Sequence, residues 1–102
     1  MDKGEKMIDI TEKFIDDNFR ECVYEKIGKK SSDPIYDCDL CEITELDVSG
    51  KDIRNLKGIE CFIALEVLDC EDNRRLKVID ISKNTLLTSF RFTGNSFKII
   101  DV

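Results

Sequence analysis

From Ile43 onward the apolar positions recur in a fixed frame. The three copies are Ile43-x-x-Leu46-x-Val48-x-x-Lys51, Leu65-x-x-Leu68-x-Cys70-x-x-Asn73 and Leu87-x-x-Phe90-x-Phe92-x-x-Asn95, each 22 residues after the one before. The first three columns are apolar or cysteine in every copy; the fourth is asparagine twice, with Lys51 as the exception. Apolar residues then return as Leu76, Ile79 and Ile81 in the second copy and as Phe97, Ile100 and Val102 in the third, with one extra residue in the second, where Arg74-Arg75 stands against Ser96. A unit this short cannot close a core of its own, so the repetition predicts coils stacked on one another.

Within each frame the x-x-L-x-L stretch alternates with period two, which is the pattern of a short half-buried strand. Leu46/Val48, Leu68/Cys70 and Phe90/Phe92 then point one way, and stacking pairs the strands in parallel. Asparagine where the chain leaves the sheet can satisfy backbone groups that no ladder partner reaches, so the fourth column predicts a buried polar ladder. The second half of the first repeat, Leu56-x-x-Ile59-x-x-Phe62-x-x-Leu65, has period three instead and predicts a 3₁₀ or helical return.

The first forty residues predict two helices. Asp16 or Asp17 can N-cap a helix bearing Phe19, Val23 and Ile27 on one face, with Gly28 as its stop. Asp33 as N-cap with Pro34 behind it predicts a second, short helix through Ile35, Cys38 and Cys41, delivering the chain to the first strand at Ile43. Ahead of both, Met7-Ile8-Asp9-Ile10-Thr11 alternates as an extended segment would. The chain thus divides into a helical cap, residues 1–42, and repeats over 43–64, 65–86 and an incomplete 87–102, in one structural domain.

Composition narrows the chemistry. At 102 residues the chain has room for one modest core, and 22 Asp plus Glu against 16 Lys plus Arg give a net charge of −6. Phosphate binding wants a basic stripe, and the only dense basic runs are Lys29-Lys30 and Arg74-Arg75, so nucleic acid is not expected as a partner. The absence of histidine excludes Ser-His-Asp and Cys-His nucleophiles, mixed Cys/His zinc sites and imidazole bases. No window approaches the apolar length of a membrane span, and Met1-Asp2-Lys3-Gly4-Glu5-Lys6 has no apolar leader core, so the given chain reads as soluble and untargeted, although a trimmed leader leaves its compartment open.

The repeat spacing is that of the leucine-rich repeat, L-x-x-L-x-L-x-x-N, held in register three times. Leu46-Asp47-Val48-Ser49-Gly50-Lys51, Leu56-Lys57-Gly58-Ile59-Glu60, Leu68-Asp69-Cys70 and Ile81-Ser82-Lys83-Asn84-Thr85 resemble the repeat units of bacterial leucine-rich-repeat proteins of the gut Firmicutes and Bacteroidetes type. Phe14-Ile15-Asp16-Asp17-Asn18-Phe19-Arg20-Glu21 is similar to the internalin-like helical cap before the first repeat of such chains, and the period-three return of the first repeat is similar to that of internalin-type repeats. The resemblance covers roughly residues 8 to 102. It implies a secreted or cell-surface interaction module, and it brings no catalytic residues. Some relatives carry an EF-hand-like loop in the cap, but Gly28-Lys29-Lys30-Ser31-Ser32 has no acidic ligands at alternate positions, so neither calcium nor any other cofactor is expected.

Five cysteines invite sharper readings. Cys38-Asp39-Leu40-Cys41 is a C-x-x-C that a redox pair or half a zinc site would use, against the plainer reading of packing thiols. Cys70 stands in the inward column of Val48 and Phe92, a core position. In chains of the resembled family, the positions of Cys22 and Cys61 often carry aromatic residues. The resemblance therefore implies that the two can meet where cap joins repeat, and a disulfide there would stabilise by roughly 3 to 4 kcal/mol. Asp69-x-Glu71-Asp72-Asn73 resembles half an EF-hand loop, but Arg74 stands where that loop needs glycine, and Asp37, Asp39 and Glu42 make no better site; both clusters read as solvated faces.

The fold expected is a short right-handed α/β leucine-rich-repeat solenoid with parallel strands and an N-terminal helical cap, and the function expected is recognition without catalysis. The binding positions are the outward ones: Glu45, Asp47 and Ser49, then Val67, Asp69 and Glu71, then Ser89, Arg91 and Thr93. Their charge favours a protein partner with a basic patch. Two other readings stand beside this one: a purely structural N-terminal segment of a longer surface protein, and a Cys38/Cys41 redox or metal site. At the last repeat, Leu87, Phe90, Phe92, Phe97, Ile100 and Val102 are expected to cover one neighbour each and to leave an open sheet edge, through which two copies would pair as a homodimer.

Overall fold

The computed structural model describes residues 7–95 and the backbone of 98–100. Chain order is a 3₁₀ turn Thr11–Lys13, α1 (Asp17–Ile27), α2 (Asp37–Leu40), β1 (Glu45–Asp47), a 3₁₀ turn Ile59–Cys61, β2 (Val67–Asp69), β3 (Val78–Asp80), β4 (Ser89–Arg91) and β5 (Lys98–Ile100). Strands β1, β2 and β4 form one parallel sheet in that order. Its register sets Leu46 beside Leu68 and Leu68 beside Phe90, so the 22-residue step of the sequence is the step between hydrogen-bonded neighbours.

β3 and β5 form a second, two-stranded parallel sheet. Here the sequence alignment is one residue off: it sets Ile79 against Ile100, whereas the backbone sets Ile79 beside Ile99 and Asp80 beside Ile100. The return half of the second repeat is therefore two residues longer than that of the third, rather than one. The period-three stretch of the first repeat forms the 3₁₀ turn Ile59–Cys61 and no strand.

One core fills the space between the two sheets and the N-terminal segment. Leu46, Val48, Leu68 and Cys70 enter it from the first sheet, Leu76, Ile79 and Ile81 from the second repeat's return, and Phe19, Val23 and Tyr24 from α1. Phe14, Phe19 and Phe62 join the two ends of this core, with ring centroids 5.6 to 6.4 Å apart. Phe62 belongs to the first repeat, so α1 is packed onto the repeats by aromatic contact as well as by area.

α1 begins and ends where its sequence dictates. Asp16 has extended backbone and its side chain accepts the Phe19 N–H, while Gly28 at φ 72° closes the helix in the left-handed region. The second helix differs from expectation. It covers only Asp37–Leu40, with Asp33 in a turn that accepts the Lys30 N–H. The reason is tertiary: Ile35 donates its N–H to Thr11 Oγ1 and accepts from the Ile10 N–H, and Asp37 donates to the Ile8 carbonyl. Those bonds hold Ile35 and Tyr36 extended, so the segment at Pro34 cannot wind into a helix. The alternating stretch at Met7–Thr11 supplies the other side of that pairing as a single Asp9–Tyr36 bridge and not as a strand.

Candidate functional site

The outward side chains of β1, β2 and β4 lie in rows on one face. Glu45, Val67 and Ser89 make one row and Asp47, Asp69 and Arg91 the next. Glu45, Asp47, Arg91 and Thr93 are exposed; Ser49, Val67, Asp69, Glu71 and Ser89 are half-buried. Of the outward positions read from the sequence, Glu45, Asp47, Val67, Asp69, Ser89 and Arg91 stand side by side in these rows and Ser49, Glu71 and Thr93 lie just past the strand ends, while Leu46, Val48, Leu68 and Cys70 are buried.

The aspartates do more than face solvent, which is all the sequence reading asks of them. Asp47 Oδ1 accepts the N–H and the hydroxyl of Ser49 at 2.9 and 2.7 Å, and Asp69 Oδ1 accepts the Glu71 N–H at 3.1 Å. Asp80 repeats the motif on the second sheet, accepting the N–H and hydroxyl of Ser82 at 3.0 and 2.6 Å. Each carboxylate ends its strand in an Asx turn. The Ser49 N–H and hydroxyl hold the Asp47 carboxyl below the usual carboxylate range, and the Ser82 hydroxyl and N–H do the same to Asp80. The D-x-S spacing at Asp47 and Asp80 was the signal for this.

Behind the face runs the polar ladder. Asn73 is buried; its Nδ2 donates to the carbonyls of Val48, Cys70 and Glu71, and its Oδ1 accepts the N–H of Ile53 and Lys51. Asn95 repeats this one coil on, donating to the Cys70 carbonyl at 2.7 Å and accepting the Asn73 N–H at 2.6 Å. Both amides reach back to the preceding coil. Asn84 begins a similar link on the other side, donating to the carbonyls of Ile59 and Phe62. Its Oδ1 is a buried acceptor without a donor among the described residues.

A further column escaped the sequence reading. Gly50, Asp72 and Gly94, one coil apart, all take positive φ of 63°, 61° and 86°. Gly50 donates its N–H to the Glu71 carbonyl and Asp72 to the Thr93 carbonyl, so the left-handed residue continues the backbone ladder past each strand. Asp72 hides the pattern, because aspartate at a glycine position looks like surface charge.

The Cys22–Cys61 bond that the resemblance allows is not formed in this structure. All five are free thiols, Cys22 and Cys61 included. Cys22 borders a hollow of about 340 Å³ between α1 and β1 with Glu25, Lys26, Leu46, Asp47, Ser49 and Lys51. Cys61 has Glu60, Lys13 and Asp37 as its charged neighbours, so the two thiols look onto different surroundings. Burial pushes both thiols up, and pushes the Cys70 thiol up to about 12. Cys38 is exposed, and Cys41 donates its thiol to the Cys38 carbonyl at 3.4 Å. Among the described residues no three Cys, Asp or Glu side chains are grouped to hold a metal ion, and no helix is long and apolar enough to cross a membrane.

At the last described turn, the Phe90 and Phe92 rings lie with centroids 5.1 Å apart and planes tilted by 39°, and Phe92 is 45% exposed where Val48 and Cys70 are buried. Leu87 and Phe90 are half-buried. The side chains of Phe97, Ile100 and Val102, which complete the expected open end, lie outside the described residues.

No protein-family model matches the chain, and neither does any curated protein sequence. Solved structures do. An internalin (InlF) of Listeria monocytogenes superposes with a TM-score of 0.75 at 27% identity over 95% of this chain. The functional domain of InlJ from Listeria monocytogenes, which includes a cysteine ladder, superposes with a TM-score of 0.63 at 22% identity, also over 95%. The fold is that of the leucine-rich repeat. This chain spans 28% and 26% of the lengths of those two chains, so it corresponds to about a quarter of such a leucine-rich-repeat protein.

Proposed function

We propose that this chain is a recognition module that binds a protein partner through the outward side chains of β1, β2 and β4, without catalysis. The parallel register supports the reading, since it aligns Glu45 and Asp47 of β1 and Asp69 of β2 with Arg91 of β4. A partner with a basic patch and an acid opposite Arg91 is the complement. Residues 1–42 act as the cap of the repeats, and the likeness to internalins supports a secreted or cell-surface setting. Association of two copies through the turn bearing Leu87, Phe90 and Phe92 belongs to the same proposal, and light scattering after size exclusion at micromolar concentration tests it.

The experiment compares capture from envelope and host extracellular fractions by the immobilised domain and by a Glu45→Lys/Glu71→Lys/Arg91→Glu variant of equal melting temperature. A partner lost with the variant supports the face. Equal capture by both overturns it. A second reading, that the chain is a structural segment of a longer surface protein, is favoured by its covering only about a quarter of each internalin-like neighbour.

A further inference from the structure

The second sheet has a free edge beside a groove. β3 pairs with β5 on one side only. One coil earlier, where a neighbouring strand would lie, Lys57 gives its N–H to Asn55 Oδ1, Gly58 to Glu60 Oε1 and Ile59 to the Leu56 carbonyl. The first repeat therefore spends its donors within its own turn, and the β3 groups that point away from β5 have no main-chain partner among the described residues. Between the two lies a groove of about 350 Å³ whose lining includes Leu56, Lys57, Ile59, Glu60, Val78 and Lys83, with Val78 47% exposed.

The charges along this groove are unequal in availability. Glu60 is held by the Gly58 N–H, and Asp80 by the N–H and hydroxyl of Ser82. Lys57 and Lys83, near enough to act on the Asp80 carboxylate, take part in no ion pair among the described residues. An unpaired strand edge accepts an extended segment, its backbone bonds supplying affinity and the flanking side chains selectivity. We infer that the groove takes an extended peptide segment of a partner protein, added as a strand to the free edge of β3, with an apolar side chain over Val78 and carboxylates for Lys57 and Lys83. This surface is distinct from the outward face of β1, β2 and β4, and it works whether or not that face binds anything.

The probe is the peptide Glu-Val-Thr-Val-Thr-Val-Glu, titrated into the full chain and followed through the backbone amide resonances. Shifts confined to Lys57–Ile59 and Val78–Asp80 are expected, with about ten-fold weaker binding to a Lys57→Glu/Lys83→Glu variant, whose substitutions are exposed and leave the fold intact by melting temperature. Replacing the end glutamates of the peptide by lysine weakens binding similarly, and N-methylation of its alternate amides abolishes it. Any one of four results overturns the inference: no shifts up to about 1 mM peptide, shifts on the outward rows of Glu45 to Arg91 instead, an N-methylated peptide that binds equally, or shifts that depend on protein concentration without peptide, which would make a second copy the occupant.

Discussion

Asp16 accepts the backbone N–H of Arg54 at 2.7 Å through Oδ2, while Oδ1 of the same carboxylate caps α1 through the Phe19 N–H at 3.0 Å. Asn55 adds its N–H to Oδ2 at 3.1 Å. One side chain thus starts the N-terminal helix and ties it to the loop that follows β1. Asp16→Ala removes a cap and two charge-assisted bonds and should cost about 2 to 3 kcal/mol in urea unfolding. Asp16→Asn keeps one cap acceptor and should cost less than half of that. Equal losses would show that the cap on the Phe19 N–H contributes nothing beyond the link to Arg54 and Asn55, and no loss in Asp16→Asn would show that the link contributes nothing.

Asn73 offers a larger effect. Asn73→Ala leaves the Ile53 N–H and the Val48 carbonyl buried without partners, for a loss of about 3 to 5 kcal/mol, whereas Asn95→Ala, half-buried, should cost about half as much. Denaturant unfolding of both variants measures the difference. Equal costs would mean that the ladder's strength does not depend on burial.

These two residues also show what a sequence can and cannot disclose. Because each ladder asparagine reaches back one coil, the first coil has no earlier coil to hold, only α1 behind it, and Lys51 at that position follows the rule. The inward columns at Leu46, Leu68 and Phe90 were legible for a similar reason: core burial tolerates few residue types, and a 22-residue step leaves a visible comb. The Asx turn at Asp69 was not legible, since Glu71 stands where Asp47 and Asp80 have a serine two residues on, and the same aspartate serves equally well as a solvent-facing charge. Asp72 broke the glycine column at the one place where the periodicity would have revealed a left-handed turn. The second sheet was obscured by unequal return lengths, and the displaced start of α2 depended on the Ile35–Ile10 bond between residues 25 apart, which no local pattern records.

Gly58 is fixed by its neighbour as much as by its backbone. At φ 109° it favours glycine, and a Cβ there would lie 2.4 Å from the Phe14 ring. Gly58→Ala should therefore cost about 3 kcal/mol or more, with part recovered when Phe14→Leu is added. Asp72→Gly should move the other way, by up to about 1 kcal/mol, because it removes a side chain from the left-handed region. Thermal melts of the three variants check both signs, and a destabilised Asp72→Gly would show that packing of the Asp72 carboxylate against Gly94 outweighs that relief.

Thiol reactivity tests the cysteine environments directly. With iodoacetamide at pH 8 and the protein folded, exposed Cys38 should react first, half-buried Cys22 and Cys61 slowly, and Cys70 only on unfolding, since its thiol is pushed up to about 12. Peptide mapping by mass spectrometry follows the order. Recovery of a Cys22–Cys61 linked peptide from protein never exposed to oxidant would restore the disulfide that the structure lacks.

Acid should weaken the fold through the Asx turns. Asp47 and Asp80 have their carboxyls held below the usual range by the serine groups that they accept from, so each stabilises the folded state above the ordinary aspartate value of about 4. That contribution is lost as pH falls from about 4 through the lower folded values, where the folded carboxylates finally take up protons. Relief of the net charge of −6 acts in the opposite sense, so the wild-type profile alone mixes two effects. Asp80→Asn separates them, since its amide oxygen can accept from Ser82 at any pH. Urea midpoints between pH 7 and 2.5 should therefore fall less steeply for Asp80→Asn than for the wild type below pH 4, with the two curves parallel above pH 5. Parallel curves throughout would show that the carboxylate form of Asp80 gives the turn nothing that a neutral acceptor does not.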